Sequence, residues 1–170
     1  YGKVSAETFD GLHLPYVDSL VNLVVVSSVG SHVSRDEILR VLVPRGVAVI
    51  DGVRIVKPWP SDMDEWTHWL HGPDNNAVSR DRVVGKPRHM QWVGSPRYSR
   101  HHDHMSGVSA LVSSGGRLFY IIDEGSTASI YMPSHWALIA RDAFNGKILW
   151  RRGIADWYTR YKGLKDGPAD

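Results

Sequence analysis

The chain contains no cysteine, which excludes disulfide cross-links, thiolate metal sites and cysteine nucleophiles and leaves the redox compartment open. It also lacks any apolar run approaching the ~20 residues that a membrane-spanning helix needs. A charge excess of either sign is missing too. Twenty Lys and Arg stand against 18 Asp and Glu, so the bulk charge calls for neither a nucleic acid nor a membrane surface. No leader-like basic and apolar segment follows Tyr1, and Tyr1 in place of methionine creates the expectation of an internal fragment of a longer protein. Aromatic residues are plentiful by contrast. Seven Trp and seven Tyr, most of them in the last two thirds, suit sheets sealed by large side chains.

The segment Ala140 to Trp150, ARDAFNGKILW, reads as a strand, a tight turn and a strand. Asn145-Gly146 supplies the residues that readily take positive φ and predicts a type I′ turn, and Trp150 is expected to bury its indole against neighbouring sheet. The pattern carried by Ala140, Asp142, Asn145, Gly146, Lys147 and Trp150 resembles the tryptophan-docking repeat of quinoprotein-like (PQQ-like) β-propellers. Lys147 itself reads as a solvated strand residue.

Before Lys57 the patterning is different. Leu20 to Val26 is a β-branched run of the type found in a parallel strand buried on both faces. Ser34 and Glu37 form a capping box for a helix with Ile38, Leu39 and Leu42 on its apolar face, ended by Pro44 and Gly46. Gly46 to Gly52 reads as a second buried strand, which predicts a right-handed parallel crossover. Asp10 to Tyr16, the run Leu20 to Val26 and Glu37 to Gly46 together resemble the second half of a class I S-adenosylmethionine-dependent methyltransferase, with Arg45 where that family usually has glycine and Asn22 in place of a frequent aspartate. The resemblance implies a Rossmann-like α/β fold and places Asp10 against the adenine amino group of S-adenosylmethionine; as residues alone, Asp10-Gly11 equally reads as the start of a turn.

The expected fold class is therefore mixed, an N-terminal α/β (Rossmann-like methyltransferase) fragment followed by antiparallel β-propeller blades. The expected domains are 1–57, a linker 58–65 rich in Pro and acidic residues with the seam near Pro60, and 66–170. The part after the linker opens with a Trp-containing lead-in and a Gly-Pro-Asp-Asn-Asn turn at Gly72 to Asn76. A closing strand over 88–93 would come next. A first blade over 107–152 follows, with strands Gly107 to Ser113, Arg117 to Ile122, Trp136 to Ala143 and Lys147 to Arg152 and a Gly115-Gly116 turn between the first two.

One end of that blade would gather His101, His102, Asp103 and His104 with Asp123 and Glu124, residue types able to ligate a first-row metal or exchange protons near neutral pH. In an extended segment only alternate members of the histidine run can converge. Arg80, Arg82, Lys86, Arg88, Arg97 and Arg100, interleaved with Trp92 and Tyr98, have the chemistry of a polyanion surface, but they equally describe a solvated rim, and nucleic acid is disfavoured because no binding module accompanies them. Trp59, Trp66, Trp69, Trp136, Trp157 and Tyr158 read as packing residues.

Three functions follow as expectations. The first is a propeller module for binding or assembly, partnered by the remaining blades, by the upstream methyltransferase half and by another protein. The resemblance to quinoproteins implies a second, an oxidoreductase using pyrroloquinoline quinone with calcium, in a periplasmic or cell-envelope bacterial setting. The third is a methyltransferase lacking its catalytic half, using S-adenosylmethionine in the cytoplasm.

Overall fold

The computed structural model describes residues 4–27, 32–87, 90–96, 108–129 and 132–154. The chain divides into two compact units, Tyr1–Ser61 and Asp62–Asp170.

In the first unit, β1 (Val21–Val26) runs parallel to β2 (Leu42–Ile50), and the helix α1 (Arg35–Val41) lies between them in sequence. Ser34 caps α1, its Oγ accepting from the Glu37 amide at 3.1 Å. Glu37 does not complete a capping box, because its carboxylate turns to the Leu14 amide and to Arg40 instead. The helix stops at Val41, five residues short of Gly46, and Leu42 is already extended (φ −69°, ψ 138°).

The pairing then jumps from Val21↔Leu42 to Leu23↔Val47, so the segment from Val43 to Gly46 bulges out of the ladder. A bulge accommodates Pro44, which has no amide to donate, and Arg45 at φ +65°. Arg45 spends its guanidinium over the Trp59 ring, 4.9 Å from the centroid.

After Ile50 the chain turns back through Asp51 (φ +50°) and Gly52 (φ +80°) into β3 (Val53–Val56), antiparallel to β2 with Ile50 opposite Val53. This is a two-residue hairpin with both central residues left-handed. The core is Ile38, Leu42 and Ala48, with Val24, Val26, Val33, Leu39, Ile50 and Ile55 packed against it.

In the second unit a four-stranded antiparallel sheet has the order β4 (Val108–Ser114), β5 (Arg117–Asp123), β6 (Trp136–Asp142), β7 (Ile148–Gly153). Gly115 and Gly116, at φ +59° and +76°, close the hairpin between Ser114 and Arg117. Ile122, Ala137 and Ile139 form its buried cluster, flanked by Tyr120.

The expected fold class is overturned. The described residues are nearly all β, in sheets of three and four strands with one seven-residue helix, and no Rossmann pattern is present. The physical reason is the Asp51-Gly52 hairpin. It sends the residues after β2 back antiparallel, so the single parallel crossover is not continued. One helix can cover one face only, and Leu23 and Val25 on β1 remain 56% and 69% exposed rather than buried on both sides.

No propeller is present among the described residues either, since one four-stranded sheet makes no ring. Of the expected closing strand over 88–93, Met90, Gln91, Trp92 and Val93 are not in a strand, and Arg88 and His89 lie outside the described residues. No helix among the described residues is long and apolar enough to cross a membrane.

Candidate functional site

A densely connected site in the second unit is the loop between β6 and β7. Asp142 and Lys147 face each other across it, the Asp142 amide donating to the Lys147 carbonyl at 2.9 Å. The loop is therefore four residues long and not the predicted two-residue turn. Asp142 shapes it from within: its Oδ1 accepts from the amides of Phe144 (2.9 Å) and Asn145 (3.1 Å). The Gly146 amide returns to the Asp142 carbonyl at 3.0 Å, with Gly146 at φ +72°. Only Gly146 is left-handed here, so Asn145 serves by accepting from the Lys147 amide through Oδ1, at 3.1 Å. Lys147 is exposed and Ala140 is fully buried.

An indole docks on this loop, and it belongs to Trp92. Its Nε1 donates to the Ala143 carbonyl at 3.0 Å, and a Cβ on Gly146 would stand 2.4 Å from the ring. Beneath the indole lies Arg141, 4% exposed. Its Nε donates to Tyr120 Oη (3.1 Å), Nη1 to the Gly146 carbonyl and Nη2 to the Ser95 carbonyl (2.7 Å). The guanidinium carbon sits 5.5 Å from the Trp92 ring centroid and 5.9 Å from that of Tyr120. Gly94 gives it room, for a Cβ there would come within 2.5 Å of Nη1. All its hydrogen-bond acceptors are neutral, two carbonyls and a hydroxyl, and the aromatic faces supply further electrostatic complement. Trp150 is not buried as expected: it is 44% exposed, with its ring tilted against Phe119 at 6.1 Å.

Sequence reasoning missed Trp92 and Arg141 as partners. Arg141 had a readable signal, since it falls two residues after Ile139 on β6, in the inward phase of the alternation, where a charge needs a built surrounding.

The remaining candidate residues fall elsewhere. His101, His102, Asp103 and His104 lie outside the described residues, as do Arg97, Tyr98, Arg100, Trp157 and Tyr158. Asp123, nearly fully buried, accepts through Oδ1 from the amides of Gly125 (2.9 Å) and His135 (2.8 Å) and so organises the connection after β5. Glu124 Oε2 stands 2.5 Å from Arg151 Nη2 in an ion pair without hydrogen-bond alignment. Arg80 reaches Asp74 at 3.4 Å. Trp136 opens β6 opposite Asp123, and Trp66 and Trp69 meet where Trp66 Nε1 donates to the Trp69 carbonyl at 3.1 Å.

In the first unit, Asp10 is exposed and closes a local turn. Its Oδ1 accepts from the amides of Leu12 (2.8 Å) and His13 (2.6 Å), and Oδ2 meets His13 Nδ1 at 2.9 Å. The His13 amide and then its side chain hold the carboxyl down at about 2, and in return His13 is raised. Beside it a cavity of ≈ 420 Å³ is lined by Leu12, His13, His32, Asp36, Glu37 and Arg40 among others. Glu37 and Arg40 face each other in a bidentate pair (2.8 and 2.7 Å), and Arg40 also holds Asp18 at 2.7 Å.

A third polar group was invisible in the sequence. His71 is buried at φ +73° and its Nε2 lies 2.6 Å from Asp64 Oδ2. Asp64 also accepts from the Arg80 amide through Oδ2 (2.6 Å) and from the Glu65 amide through Oδ1 (2.8 Å). An ionised carboxylate only accepts, so Nε2 carries a proton, while Nδ1 is sealed from solvent without a hydrogen-bond partner. Together with the Asp64 amide, which donates to Asp81 Oδ1 at 2.7 Å, these bonds tie the 62–82 segment to itself.

The Arg80 amide first, then that of Glu65 and the His71 side chain, hold the Asp64 carboxyl at about 2. A lowered carboxyl contributes stability that is complete above its unfolded value of about 4 and disappears as pH falls through its folded value. Wild type should therefore resist urea better than Asp64→Asn at pH 6, with the gap closing between about pH 4 and pH 2. Denaturation midpoints by circular dichroism measure this, and a gap independent of pH would contradict it.

Among the described residues no group of three or more His, Asp or Glu gathers as a metal site. Comparison with protein-family models, curated proteins and solved structures finds no match to this chain.

Proposed function

We propose that the chain is a binding or assembly module of a quinoprotein-like repeat protein. The observation that carries this is the use made of the Asp142, Gly146 motif, which builds a loop that holds an indole arriving from elsewhere in the chain. That is a device for joining segments. The carboxylates that a catalytic role would draw on support it: Asp142, Asp123 and Asp10 each accept from backbone amides and shape their own loops.

Thermal unfolding in the presence of candidate cofactors tests the proposal. A ligand at about a hundred times its Kd adds roughly 2.7 kcal/mol to the folded state, enough to raise the midpoint by several degrees. Neither pyrroloquinoline quinone with calcium nor S-adenosylmethionine is expected to move it. A saturable rise with the quinone and calcium would replace the module by a quinoprotein oxidoreductase, and one with S-adenosylmethionine would replace it by a methyltransferase.

A further inference from the structure

The two margins of the four-stranded sheet differ. At β4 the outer side is engaged, because the Ser113 amide donates to the Trp66 carbonyl at 2.6 Å, the Trp66 amide donates to Ser113 Oγ at 2.8 Å, and the Gly115 amide is held by Glu65. At β7 the backbone pairs, among the described residues, with β6 alone, and all residues from Ile148 to Gly153 are exposed. Exposed sheet edges are ordinarily protected by lysine, proline or a covering element, since a row of free amides and carbonyls is a template for another strand. This strand contains neither lysine nor proline, and Ile148, Leu149 and Trp150 make its first half apolar.

Backbone polarity identifies the free groups. Ile154 donates to Trp136 across the ladder, and Leu138↔Arg152 and Ala140↔Trp150 are in the same phase. In an antiparallel ladder the alternate residues, Arg151 and Gly153, then direct their amides and carbonyls away from β6.

The charge on the strand selects what pairs there. Arg151 is drawn to Glu124, whereas Arg152 is exposed on the same face as Trp150. A second copy of β7, paired antiparallel about a two-fold axis with the outward-directed Arg151 opposite its own copy, would set the two Arg151 side chains face to face and each Arg152 beside the other copy's Trp150. Like charges so placed repel. We propose that β7 takes up an extended strand of a partner protein, with apolar side chains beside Ile148 and Trp150 and a carboxylate beside Arg152. This rests on the binding-module function and names its partner chemistry.

The test uses the full chain and a synthetic peptide, Glu-Thr-Val-Thr-Val, whose alternate residues present a glutamate and two valines on one face of the strand. Amide hydrogen exchange followed by NMR should show the Arg151 and Gly153 amides slowed at least about tenfold by saturating peptide, because those amides gain acceptors. A peptide of the same sequence with N-methylated backbone should bind without that protection or not at all. Arg152→Glu changes an exposed side chain and should weaken the glutamate peptide about tenfold while favouring a valine and lysine counterpart. Gly153→Pro, at a position with open space around a new Cβ, removes one outward amide and should weaken binding without loss of the β6 ladder.

Absence of protection at Arg151 and Gly153, or charge reversal at Arg152 that leaves the peptide preference unchanged, would overturn the proposal. Failure of the binding-module function itself would register separately, as cofactor-induced stabilisation.

Discussion

Replacing Gly146 by alanine is expected to destabilise the second unit by about 3 kcal/mol, of which roughly 1–2 kcal/mol reflects the left-handed backbone and the rest the displaced indole. Gly146 stands at φ +72°, and its new Cβ would come within 2.4 Å of two Trp92 ring atoms. The indole belongs to a rigid ring and cannot yield locally, so it must leave the loop and give up its bond to the Ala143 carbonyl. Alanine at Gly52 is the control. That residue is also left-handed, at φ +80°, but nothing lies within 4 Å of its Cβ, so only the backbone cost of ~1–2 kcal/mol should appear.

Urea unfolding of Gly146→Ala, Trp92→Ala and the double variant separates the two contributions. Once Trp92 is gone, the cost of the alanine should fall to that seen at Gly52. Strict additivity of the two substitutions would show that the indole does not rest on Gly146.

Arg141→Leu should be as damaging, at about 3 kcal/mol. The guanidinium supplies donors to Tyr120 Oη and to the Gly146 and Ser95 carbonyls from a site only 4% exposed. Leucine fills much of the volume but leaves those acceptors buried without partners, and a buried group that loses its partner bears its full desolvation penalty. Removing a buried charge is itself favourable, which limits the loss.

Lysine is not expected to rescue. Its ammonium is a single centre, whereas the three acceptors are reached from three separate nitrogens of a planar fork. The equilibrium unfolding of Arg141→Leu and Arg141→Lys, each checked for folding by circular dichroism, decides the matter. A lysine variant with wild-type stability would mean that the charge, and not the fork, is what the site needs.

What could be read from the sequence follows from how local each signal is. The strands of the second unit are bounded by glycine turns and alternate with period two, and the expected segments from Gly107 to Arg152 overlap β4 to β7. Gly115-Gly116 is a two-residue turn in a hairpin, as its composition indicates.

Asn145-Gly146 has the same composition but a different turn, because the Asp142 carboxylate competes for the Phe144 and Asn145 amides and lengthens the loop. In the first unit the apolar run Leu20 to Val26 gave the position of β1 but not its surroundings, since burial depends on elements far away in sequence. Asp51-Gly52 carried a hairpin signal between two β-branched runs. Reading it as the end of a parallel strand produced the wrong fold class. The docking of Trp92 and the buried His71 are both tertiary. No periodicity announces an indole that packs on a loop formed some fifty residues later, or an imidazole aligned by Asp64.

Glu37 has a consequence for how the first unit orders. A helix of seven residues is too short to persist in water by itself. Glu37, which is buried, and Arg40 tie it to the Leu14 amide, to the Tyr16 and Leu14 carbonyls and to Asp18. The helix is also held by Ile38 and Leu39 in the core, whereas the segment from Leu14 to Asp18 leans on this clasp. The segment must therefore freeze and melt with the helix, as one cooperative block whose clasp is a carboxylate and a guanidinium one turn apart.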